Sequence, residues 1–228
     1  VMDKRNYLIA NKLNNNNKND AVLEFAYQGP LLKYFGRKRN IVITGNVNFK
    51  ILKTNKSHHI GECYRTIEIN DGDTIDIIST NKSVYGYLSI NGGFKLEKVW
   101  DSFSTTIRAK VGPNNGQKLI DGQEIKLNEE NPSQQRKLDY INSKIEFIRV
   151  IRGTNFNYFS EKSIKEFFSK NFEVTKLTDR MGMRLEGTKL INNKYTNVKS
   201  EGLIKGTIQV PADGNPIILL SDHGTIGG

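Results

Sequence analysis

The feature that most constrains this chain is a series of short runs in which apolar and polar residues tend to alternate, each bounded by Gly, Asn or Asp. They fall at residues 22–25, 41–43, 49–52, 66–69, 74–78, 85–90 and 124–127. β-Branched and aromatic residues at a period near two suit strands that pack against a core on one side. Asp71-Gly72, Asp121-Gly122 and Asp213-Gly214 each interrupt such residues. Asp-Gly accepts the positive φ of a tight reversal, so each pair predicts a change of strand direction. Many short strands with tight reversals predict a mainly β protein, barrel or sandwich.

A few short helices interrupt the pattern. Residues 3–13 predict one, with Leu8, Ile9 and Leu13 on one side and the asparagines at 14–17 ending it as a loop. Ser160 predicts the start of another: Ser160 can cap it, Ser163 with Glu166 resembles a capping box shifted in register, and Ile164, Phe167 and Phe168 give its buried face. The stretch 128–136 is the most loop-like, which predicts a first β lobe over 1–138 and a second over 139–228. Val1 and the final Gly227-Gly228 both interrupt patterned sequence, so the chain reads as truncated at both ends.

Composition removes several function classes. The lone Cys63 excludes an intramolecular disulfide and a cysteine-rich zinc site, and it suits a reducing, cytoplasmic setting. Only His58, His59 and His223 could add nitrogen ligands, and adjacent residues on a strand face opposite ways, so no metal is expected. Lys and Arg number 34 against 24 Asp and Glu, but they are scattered and not interleaved with aromatics, which argues against nucleic acid. The longest apolar runs, such as 217–220, fall far below the roughly 20 residues of a membrane span. No Gly-rich loop followed by Lys and Ser or Thr is present to cradle phosphate.

Chemistry concentrates near the end of the sequence. Arg180 and Arg184 stand four apart around Gly182, Glu201 lies between Ser200 and Gly202, Gln209 follows Gly206, and Asp222 precedes a Gly-rich turn. Two guanidiniums can grip a carboxylate or donate to an oxyanion, and a neighbouring carboxylate can move protons. Such a group suits activation of an amide or ureido carbonyl. The same residues also fit a plainer reading, in which Arg–carboxylate pairs tie strands together and glycines only make turns.

Longer motifs carry a resemblance. They are Ala10-Asn11-Lys12-Leu13, Ile43-Thr44-Gly45, Tyr87-Leu88-Ser89-Ile90-Asn91-Gly92-Gly93-Phe94, Ser102-Phe103-Ser104-Thr105 and, most specific, the run from Ser200 to Gly228. With these the chain resembles the allophanate hydrolase subunit 2, or biotin-dependent carboxyltransferase-like, family. That family includes the C component of 5-oxoprolinase, the carboxyltransferase part of urea carboxylase and an antagonist of a sporulation-kinase inhibitor. The resemblance implies two cyclophilin-like β-barrel lobes. It also implies an ATP-dependent complex with a sister subunit of the allophanate hydrolase subunit 1 type and a third, lactamase-type subunit, acting on a small amide such as 5-oxoproline. Arg180, Arg184, Glu201 and Asp222 are the catalytic candidates, and Ser102, Thr105, Ser200 and Gln209 the candidates for substrate binding. Two alternatives remain: a non-catalytic partner of a kinase-inhibitor subunit, or the carboxyltransferase component of a biotin-dependent urea carboxylase. Met183, Phe103, Asn91, Gly224 and Ile226 depart from the family pattern, each removing a polar or aromatic contact near the presumed pocket.

Overall fold

A computed structural model of the chain describes residues 1–139, 145–192 and 201–225. The fold is mainly β, with antiparallel sheets, as expected of two cyclophilin-like β-barrel lobes. The chain divides into two compact units, Asp3–Asn142 with Val1, and Ser143–Gly228 with Met2.

The first unit opens with helix α1 (Lys4–Leu13), where the Asp3 carboxylate accepts the Asn6 N–H at 3.0 Å. That bond satisfies a donor the first helical turn leaves unpaired. Eight strands follow: β1 (Leu23–Ala26), β2 (Leu31–Lys33), β3 (Arg39–Thr44), β4 (Val47–Leu52), β5 (His58–Ile60), β6 (Thr66–Ile69), β7 (Thr74–Thr80) and β8 (Tyr85–Ile90). They form two four-stranded sheets, ordered β1-β8-β3-β6 and β2-β7-β4-β5.

Side chains from both sheets meet in one core. Ile41, Ile43, Ile69, Leu88 and Ile90 come from the first sheet and Val47, Phe49, Ile51, Ile75 and Ile77 from the second. β4 alternates buried with less buried positions because one face meets the core and the other is more open. β3 and β8 are buried almost continuously, since α1 covers their second face: Ala10 and Leu13 pack on Val42 and Tyr87.

Several expectations are corrected. Asp71-Gly72 does reverse the chain, with Gly72 at φ 81°, but β6 and β7 lie in different sheets, so the turn passes the chain between sheets and makes no hairpin. Asp121-Gly122 is a turn without flanking strands. Residues 124–127 are no strand: Leu127 forms an isolated bridge with Phe94 and Lys126 O accepts the Lys95 N–H, but no ladder extends from there. The asparagines at 14–17 do form a loop, and their amides build a polar network. Asn16 donates to Ser89 Oγ and Ile90 O, Gly92 N–H donates to Asn16 Oδ1 at 2.9 Å, and Asn91 donates to Asn14 O at 2.8 Å.

The second unit holds α2 (Glu161–Ser169) and a sheet of β9 (Phe172–Val174), β10 (Gly182–Gly187), β11 (Ile208–Gln209) and β12 (Ile217–Leu219), ordered β11-β12-β10-β9. Ser160 caps α2, accepting the Ser163 N–H at 3.1 Å. Ser163 is no second cap. It is buried, and its hydroxyl accepts the Ile191 N–H at 2.9 Å and donates to the Ile191 carbonyl at 3.2 Å. Ile164 and Phe167 are partly covered, whereas Phe168 is 64% exposed and leaves the expected buried face. Its ring stacks edge-on against Phe167, which in turn meets Phe172. Among the described residues of this unit, Leu190, Pro216 and Leu219 are the buried apolar side chains.

Candidate active site

β10, β11 and β12 bring two of the sequence candidates into register. Arg184 on β10 stands opposite Ile217 on β12, and Ile217 stands opposite Gln209 on β11. Residues directly opposite one another point to the same face, so Arg184 and Gln209 share one face, two strand spacings or roughly 10 Å apart. Arg184 is exposed.

Arg180 precedes β10 and is bound at both ends. The Asp179 carboxylate accepts the Met181 and Gly182 N–H groups at 2.8 and 3.2 Å, closing a tight local turn around Arg180. The Arg180 guanidinium donates from Nε to Asp222 Oδ2 at 2.7 Å and from Nη2 to Asp222 Oδ1 at 3.1 Å. The main chain repeats the pairing, because Asp222 N–H donates to the Arg180 carbonyl at 2.9 Å. Both side chains are largely covered, at 28% and 16% exposure.

The remaining candidates are more dispersed. Glu201 is exposed. Ser102 and Thr105 belong to the first unit, where Ser102 Oγ accepts the Ser104 N–H and Thr105 donates to the Pro113 carbonyl. Ser200, Ile226, Gly227 and Gly228 lie outside the described residues. Of the departures from the family pattern, Asn91 is buried, and its side-chain carbonyl accepts the Asn131 N–H at 3.1 Å. Phe103 packs against the first unit's core with the Lys98 ammonium 5.6 Å over its ring. Met183 lies on β10 opposite Ile218, and Gly224 is exposed.

Sequence reasoning missed two neighbours of Arg184. Asp213 is held below the usual carboxylate range by the Asn215 backbone N–H and side-chain amide, with Lys189 and Arg184 adding positive charge nearby. Glu186 lies two residues along β10 on the face of Arg184 and stands opposite Glu173 on β9, a like-charged pair. The Asp213-Gly214 motif pointed to the first of these. The second depends on the β9–β10 register, which no local motif gives.

Hollows of about 300 and 740 Å³ lie in the first unit, one beside Ile51, His59, Arg65 and Gln135 and the other beside Lys12, Asn16 and Arg136. Neither is lined by Arg180, Arg184, Glu201 or Asp222. No group of three or more His, Cys, Asp or Glu among the described residues is placed to hold a metal ion. No helix among them is long and apolar enough to cross a membrane.

The chain is thus mainly β, of two units, with an arginine–aspartate pair beside an inner strand of the second. All of residues 1–228 match the family model "Carboxyltransferase domain, subdomain A and B", and the chain belongs to that family. It is similar to the C component of 5-oxoprolinase from Haemophilus influenzae, with 27% identity over 100% of this chain and 72% of that protein. It is also similar to urea amidolyase of Saccharomyces cerevisiae, with 28% identity over 100% of this chain and 13% of that protein. A crystal structure of TTHA0988 superposes on the whole chain with a TM-score of 0.85 at 25% identity, and the chain spans 44% of that structure.

Proposed function

We propose that the protein works as one component of an ATP-dependent hydrolase complex that opens the cyclic amide of 5-oxoproline to glutamate. Support comes from the family match over the full 228 residues and from the similarity to the 5-oxoprolinase C component along the whole chain. The single observation that carries the chemistry is the fixed Arg180 guanidinium beside the strand that bears Arg184.

A guanidinium N–H is a strong donor to a substrate carboxylate and to a carbonyl oxygen gaining negative charge. In this reading Arg184 and Arg180 supply those donors, and Glu201 takes a proton from the attacking water. Asp222 stands beside Arg180. Gln209, on the face of Arg184, orients the substrate. ATP bound by the complex would donate a phosphoryl group to the amide oxygen, releasing ADP and making that oxygen leave as phosphate. The nucleotide is assigned to the complex. The partners are a sister subunit of the allophanate hydrolase subunit 1 type and a lactamase-type subunit, and the setting is cytoplasmic.

Similarity to urea amidolyase over the whole chain favours a second reading, transfer of a carboxyl group from biotin to urea. The departures at Met183 and Gly224 favour a third, a non-catalytic partner of a kinase-inhibitor subunit. Two assays separate them. The complex reconstituted with its sister subunits is expected to release ADP when 5-oxoproline is added. Formation of carboxylated urea from carboxybiotin and urea, with no response to 5-oxoproline, would select the second reading. Inertness in both assays would select the third.

A further inference from the structure

Resting on the functional reading above, we propose that Asp222 is a positioning residue for Arg180 and that it does not carry the reaction's proton. Each oxygen of its carboxylate accepts one guanidinium N–H, Oδ2 from Nε at 2.7 Å and Oδ1 from Nη2 at 3.1 Å. This side-on, two-bond geometry sets the plane of the guanidinium as well as its distance. Protonation would remove the negative charge that strengthens both bonds, so the arrangement suits holding a cation better than shuttling a proton.

The backbone supports the same conclusion. Asp222 N–H donates to the Arg180 carbonyl and Leu220 N–H to the Met181 carbonyl, each at 2.9 Å, which continues the β10–β12 pairing up to the two residues. The turn closed by Asp179 then anchors Arg180 from the other side. A side chain held by its main chain, its guanidinium and a neighbouring turn loses little freedom when substrate arrives, which is what an oriented donor requires. Proton transfer falls to Glu201, the exposed carboxylate of the candidate set.

The test compares Asp222→Asn, Asp222→Glu and the reversal Arg180→Asp/Asp222→Arg in the reconstituted complex, reading 5-oxoproline-dependent ADP release against pH and thermal unfolding. Asp222→Asn is expected to lower kcat/KM by about 100-fold, the cost of a misplaced group, while the acidic limb of the pH profile stays where it is in the wild type. Asp222→Glu should recover part of the rate. The reversal should regain the unfolding temperature without regaining turnover. Disappearance of the acidic limb in Asp222→Asn would overturn the proposal by making Asp222 the proton carrier. Full turnover in the reversal would overturn it by making the pair a structural tie. An inactive wild-type complex is a separate failure, visible without any variant; it would remove the functional reading and this inference together.

Discussion

At the scale of single residues, the first unit is set by contacts that leave no space. A Cβ at Gly86 would sit 2.4 Å from the Phe25 ring and 2.8 Å from a Val47 methyl, both in the core. Gly86→Ala is therefore expected to destabilise the protein by about 1–3 kcal/mol, the usual cost of overpacking, and urea unfolding measures it.

Tyr87 links the helix to the sheet. Its hydroxyl donates to Glu24 at 2.8 Å and accepts the Asp3 N–H at 2.7 Å, and burial, reinforced by Glu24, pushes its ionisation well above the ordinary tyrosine value of 10.0. The native state thus holds this proton more tightly than the unfolded chain. The stability it contributes is complete below pH 10 and is lost as pH rises above it. The urea midpoint should fall as pH is raised through about 10 and beyond, and Tyr87→Phe should flatten that fall; a midpoint equally steep in both proteins would contradict the assignment.

At the scale of elements, most strands were legible because their apolar residues recur at a period of two or in short β-branched runs. Residues 66–69 and 85–90 coincide with β6 and β8. What no local pattern gives is which strand pairs with which. The Asp-Gly turns mark reversals but do not say whether the next strand joins the same sheet, and residues 124–127 have strand composition without a partner strand. The asparagines at 14–17 were legible as a loop, but their bonding depends on residues 89–92 and 131, far along the chain. Similarly, Ser163 reads locally as a cap and serves instead as a bridge to Ile191. Ser160→Ala should therefore cost about 1 kcal/mol, the value of a helix cap. Ser163→Ala should cost more, because it takes a hydrogen-bond partner from both the N–H and the carbonyl of Ile191. Thermal unfolding of the two variants ranks them, and an equal loss would contradict the bridging role.

At the scale of the whole molecule, the two units differ in how much apolar surface they bury. The first encloses a core drawn from both of its sheets, while the second buries Leu190, Pro216 and Leu219 and exposes Ile145, Phe147, Ile148, Ile151 and Leu177 among its described residues. Strands with few buried neighbours open more readily than core strands. Amide hydrogen exchange on the intact chain should show slow exchange in β3, β4, β7 and β8 and faster exchange in β9–β12; uniform protection would contradict the difference. Of the candidate site, the closeness of Arg180 and Arg184 around Gly182 was legible in the sequence. The Arg180–Asp222 bond and the shared face of Arg184 and Gln209 were not, because both follow from the register of three strands.

The central claim is that guanidinium groups beside β10 serve the chemistry of an amide carbonyl. Its most direct test is ADP release driven by 5-oxoproline in the reconstituted complex, comparing the wild type with Arg184→Ala. Loss of an oxyanion donor predicts a fall in kcat of about 100-fold or more with the complex still assembled. A rate equal to the wild type would contradict the claim.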